Sequence, residues 1–126
     1  MVFAQYLSMN LEIDQGALKR LRAMGGEALV EQMVQLFLAN TPKRIAAALE
    51  GEKAEDWTAV ERAAHSMKSS AAHLGILGLQ ERAAQIEALA EEHRGSELRP
   101  LLEDVAGAFP VVRDLLERLV TTLPQD

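Results

Sequence analysis

The stretch RAAHSMKSSAAHLGILG, Arg62 to Gly78, places two of the chain's three histidines among alanines and serines. An imidazole offers three kinds of chemistry: nucleophilic attack, proton transfer and metal ligation. Lys68 stands three residues after His65 and Ser69 four after it, and both spacings make neighbours on a helix surface. Glu61 lies one turn before His65, and Ala72 continues the same strip one turn beyond Ser69. His73 is eight residues from His65, more than two turns, which is too far for the two rings to share a metal ion. His93 sits in the polar run EEHRG, where a helix C-terminus mildly favours a cation. His73 and His93 are therefore read as ordinary surface residues.

The element that carries His65 must show it to something large. On a helical wheel of about 100° per residue, Val60, Ala63, Ala64, Met67, Ala71 and Leu74 share one face, which is the expected core face. His65 lies roughly 145° from the centre of that face on the same geometry, so it points to solvent. Exposed helix positions usually carry long charged side chains. Here they carry small ones, which let another backbone approach the imidazole.

The surrounding apolar spacing is helical almost throughout. Asp14 is expected to cap a short helix that the pair Gly25–Gly26 stops at about Met24. A second helix is expected from about Glu27 to Glu50, kinked near Leu38–Thr41 by Pro42. It carries an apolar stripe of Leu29, Met33 and Leu36, and beside it a second of Val30, Val34, Phe37 and Leu38. That surplus predicts a cover outside the bundle, either the N-terminal segment with Phe3, Tyr6 and Leu7 or a docking partner. The His65 helix should run from about Asp56 to Leu74 and end at Gly75. A fourth helix is expected from about Leu79 to His93 after a GILG connector. Gly95 should then act as a C-cap and Ser96 as an N-cap. A fifth helix, kinked at Pro110, should run to about Thr122. Short loops between long helices imply an all-α, antiparallel up-and-down four-helix bundle with one or two short N-terminal helices. Residues 1–12 form an N-terminal segment, with a short amphipathic helix expected, and residues 13–123 form the bundle domain.

Composition agrees and narrows the function. With 126 residues, the chain suffices for one domain. The net charge of −6 makes the chain a poor candidate for binding nucleic acid or an anionic membrane, since both need a basic face. The absence of cysteine removes thiolate chemistry and disulfides. No apolar run approaches the ~18 residues of a membrane span, and the opening MVFAQYLSMN has no signal-peptide pattern. A cytoplasmic monomer is expected. There is no Gly-rich phosphate loop, no magnesium-binding carboxylate cluster and no nucleotide motif.

The run HSMKSSAAHLG resembles the motif of the histidine-containing phosphotransfer (HPt) domain family. In that motif a histidine is followed by an apolar residue at +2, lysine at +3, usually glycine at +4, small residues at +5 or +6 and glycine at +10. Here these positions hold His65, Met67, Lys68, Ser69, Ser70, Ala71 and Gly75. The resemblance extends over about Ile13 to Leu123. It implies a phosphorelay intermediate: His65 accepts a phosphoryl group from the phosphoaspartate of a receiver domain and passes it to another receiver, with no kinase activity of its own. Lys68 would neutralise the phosphoryl oxygens, since lysine acts on phosphate as a point charge. Ser69, Ala72 and Glu61 would lie on the surface that the receiver approaches, and Glu87 could reach the other imidazole nitrogen and set the tautomer. The implied partners are response-regulator receiver domains, a hybrid sensor histidine kinase, or both. No cofactor is expected on this chain, the Mg²⁺ belonging to the receiver. The departure is Ser69 in place of the usual glycine, whose hydroxyl could bond the ring or the phosphoryl group, or slow docking.

Three other readings compete. A dimerising histidine-kinase helix usually has an acidic residue directly after the histidine and a proline a few residues on; here Ser66 follows and no such proline does. A metal-carboxylate bundle needs inward Glu-x-x-His pairs on two helices, whereas Glu61 and His65 are four apart and face outward. A pseudo-HPt module that binds partners without phosphotransfer remains the alternative, with His65 and Lys68 arguing against it and Ser69 leaving it open.

Overall fold

The computed structural model describes residues 9–122, and these form four helices joined by short turns. Helix α1 spans Gln15–Lys53, α2 Trp57–Leu74, α3 Leu77–Glu91 and α4 Gly95–Thr121. Each helix packs against its neighbours in sequence, and α4 closes the ring against α1. Links of two or three residues force each helix to reverse on the last, giving the antiparallel bundle. Among the described residues no helix is long and apolar enough to cross a membrane.

Helix α1 starts at Asp14, whose carboxylate accepts the Gly16 N–H at 3.0 Å. It breaks at Gly25–Gly26: Gly26 has φ 72° and ψ −167°, a region essentially reserved for glycine. The short N-terminal helix expected from the sequence is thus the segment 15–24 ahead of the break. Arg22 and Glu27 pair across it at 2.7 Å. Helix α2 is capped by Asp56, which accepts the Ala59 N–H at 3.1 Å, and ends in a left-handed Gly75. All six residues assigned to its core face are buried.

In α1 the two apolar stripes exchange roles. Val30, Val34 and Phe37 are core, and Phe37 stacks on Phe109 of α4 with ring centroids 6.2 Å apart. Leu38 is half-buried. Leu29 and Met33 pack only at the margin and Leu36 is exposed. Periodicity could not separate two adjacent stripes of equal hydrophobicity. Val34 is therefore not a docking residue. The helix expected through Phe3, Tyr6 and Leu7 lies outside the described residues.

Other boundaries shift for steric reasons. Helix α3 begins at Leu77 rather than Leu79, because Gly78 is drawn against the segment before α1. The Gly78 N–H donates to the Asn10 carbonyl at 2.8 Å, and a Cβ on Gly78 would meet that oxygen at 2.1 Å. Asp14 N–H donates to the Gly75 carbonyl at 2.8 Å, and Ile13 bridges Ile76. This strap ties the start of α1 to the α2–α3 turn. Gly95 is not a C-cap, nor Ser96 an N-cap: Gly95 is the first residue of α4, and the positive φ (57°) between the helices belongs to His93. Gly95 is small because the Trp57 indole lies where its Cβ would be, 2.5 Å away. Pro42 and Pro110 interrupt neither helix. Both sit on the solvent side, where water can take the carbonyl that each proline frees.

Candidate functional site

Helix α2 presents His65 outward in the middle of its length, with 66% of the side chain exposed. One turn on, Lys68 leans toward α3. Helix α3 buries Leu79, Ala83, Ile86 and Ala90. Glu87, next to Ile86 and one turn after Ala83, falls at the edge of that stripe and faces α2. Its carboxylate spans both side chains of α2. Oε2 lies 2.7 Å from His65 Nδ1, and Oε1 accepts from Lys68 Nζ at 2.5 Å.

The electrostatics follow from this bridge. The Lys68 ammonium, first, and then the His65 hydrogen bond hold the Glu87 carboxyl below the usual glutamate range, against an opposing effect of burial. An ionised carboxylate can only accept, so the proton between Glu87 and His65 sits on Nδ1. The neutral ring then carries its in-plane lone pair on Nε2, which Glu87 leaves unengaged. A tautomer selected this way is a nucleophile with a defined attacking atom.

The surroundings of His65 are shallow on the α1 side. Ser69 is exposed, and Ala72 and Glu61 are half-buried. Glu61 makes no hydrogen bond or ion pair with His65 among the described residues. Ser70 donates its hydroxyl to the Ser66 carbonyl at 2.6 Å, folding the side chain back onto the helix. A cleft of about 290 Å³ opens there, lined by Arg44, His65, Ser66, Ser69, Ser70 and His73.

The structure thus brings together His65, Lys68 and Glu87, and sets Ser69 beside them. His73, read from sequence as an ordinary surface residue, shares a cleft with His65 because the cleft runs along α2. Arg44 escapes the sequence reading altogether: it sits on α1, and nothing in its local sequence tells which side of α2 it meets. His93 lies beyond the far end of α3, where its ring approaches the Trp57 indole with centroids 6.4 Å apart. No cluster of three or more metal-ligating side chains forms among the described residues.

A family model described as Hpt domain matches residues 32–122, from the second part of α1 through the end of α4. No curated protein and no solved structure matches the chain.

Proposed function

The chain belongs to the Hpt domain family, whose members serve histidine phosphotransfer in two-component signalling, and from that membership we propose that His65 carries the phosphoryl group on Nε2. A receiver domain bearing phosphoaspartate docks over the exposed ring. Nε2 attacks phosphorus in line, the N–P bond forms and the acyl-phosphate P–O bond breaks. The receiver's aspartate departs as a carboxylate. A second receiver reverses these steps, and its aspartate oxygen takes the phosphoryl group from Nε2.

The observation that carries this reading is the Glu87 bridge to Nδ1 of an exposed histidine. Attack by Nε2 turns the neutral ring into an imidazolium, with its proton still on Nδ1. The Glu87 carboxylate is in place to stabilise that positive charge, as an electrostatic partner preorganised for the transition state. Lys68, held by the same carboxylate, stands one turn away to meet the phosphoryl oxygens. The tautomer this bridge selects, with Nε2 left free on an exposed ring, favours phosphotransfer over a pseudo-HPt role. The Mg²⁺ of the reaction is assigned to the receiver, alongside its aspartate.

Incubation with a phosphorylated receiver tests the assignment. Label should move to this protein as an acid-labile, base-stable phosphoramidate. His65→Gln should abolish it, while His73→Gln and His93→Gln retain it. Label that persists in His65→Gln would exclude His65 as the carrier.

A further inference from the structure

Lys68 is committed before any phosphoryl group arrives. Its ammonium and the Glu87 carboxylate already form an ion pair, so the two together bring no net charge to the site. A phosphoryl group on His65 adds a charge of roughly −1.5 to −2, close to that carboxylate. A second cation is needed on the other side of the ring. The cleft between α1 and α2 supplies one: Arg44 lines it together with His65 and Ser69. No carboxylate pairs with Arg44 among the described residues, whereas Arg82 is held by Asp104 and Arg99 by Glu52. The volume, at ~30 Å³ per water, holds a phosphoryl group with several waters.

We propose that Arg44 is a phosphoryl-binding residue, closing on the oxygens of phosphorylated His65 from the α1 side while Lys68 and Glu87 hold the ring from the α3 side. The inference rests on the phosphotransfer reading. A guanidinium is well matched to a phosphoryl group, because it stays charged and its planar fork can donate two parallel hydrogen bonds to the oxygens. The Ser69 hydroxyl, exposed in the same cleft, can add a third, which gives the serine a use in the place where the family's motif usually has glycine. Ser70 cannot, since its hydroxyl is spent on the Ser66 carbonyl. The charged or titratable groups around the phosphoryl group would then be Arg44 from α1, Glu61, Lys68 and His73 from α2, and Glu87 from α3.

The test uses phosphoramidate, a small phosphodonor, so that no receiver is required. The phosphorylated protein is followed by ³¹P NMR against pH. A cation in contact with the phosphoryl group lowers the pH at which it takes up its last proton. Arg44→Gln should therefore raise the ³¹P titration midpoint and shorten the half-life of the phosphohistidine several-fold, and Arg44→Lys should restore part of both. An unchanged midpoint in Arg44→Gln overturns the proposal. If transfer from a receiver nonetheless slows in that variant, Arg44 belongs to the docking surface instead. A wild-type protein that takes no phosphoryl group on His65 from either donor overturns the phosphotransfer reading itself, and this inference with it.

Discussion

At the scale of the residue, one carboxylate serves two side chains. Glu87 orients an imidazole and anchors a lysine, and its charge is what both contacts require. Glu87→Gln keeps the shape and removes the charge. Transfer into His65 should slow by about 5- to 150-fold, the equivalent of a charged hydrogen bond worth ~1–3 kcal/mol. The same variant carries a pH signature. The Glu87 carboxyl titrates below its ordinary 4.5 when folded. Its contribution to stability is thus complete above pH 4.5 and is lost as pH falls through the lower, folded-state value. The stability gap between wild type and Glu87→Gln, measured by urea unfolding, should be present at about pH 5 and close as pH falls below 4.5. A gap that stays constant to about pH 3 would mean that the charge contributes nothing to the fold.

At the scale of the element, legibility followed how much each feature depends on neighbours. The core face of α2 was readable in full, because six apolar residues on one wheel leave a single way to turn the helix. His65 and Lys68 followed from that orientation. Glu87 was readable only as a helix residue that could reach, since its position depends on how α3 rotates against α2. Arg44 and the cleft depend on a third helix and left no local sign. Gly95 shows the same limit: a glycine followed by a serine reads as a cap-and-restart signal, yet the glycine answers to Trp57, thirty-eight positions earlier. The two explanations predict different mutants. Gly95→Ala forces the indole to move and should cost ~1–3 kcal/mol in thermal or urea unfolding. Ser96→Ala should change stability by no more than ~0.5 kcal/mol, because Arg94, not Ser96, occupies the cap and makes no side-chain bond there. A large loss from Ser96→Ala with none from Gly95→Ala would restore the capping interpretation.

At the scale of the whole molecule, two buried polar side chains among the described residues, Thr41 and Asp104, interrupt the apolar core. Asp104 of α4 is buried and paired to Arg82 of α3, with Oδ1 left without a partner. Taking both charges out of water offsets much of their attraction, so this contact fixes how α3 meets α4 more than it adds stability. Glu52 and Arg99 tie α1 to α4 at 2.8 Å in the same manner. The face with His65, in contrast, is built by α2 and α3, with only the cleft shared with α1.

That division has a consequence in time. His65, Lys68 and Glu87 all lie on two helices joined by Gly75 and Ile76 alone, so the chain closes only a short loop to bring them together. The strap from Asn10 to Asp14 and the seal of α4 on α1 join positions 47 or more residues apart, and such closures come at a greater entropic cost. These three side chains are therefore expected to come together with the earliest hairpin, and the strap to latch afterwards onto a turn already made. In folding kinetics, substitutions at the α2–α3 contact, such as Ala83→Gly, should slow folding. Changes at the strap, such as Ile13→Ala, should mainly speed unfolding. The opposite partition would place the strap in the nucleus and make the α2–α3 hairpin the late arrival.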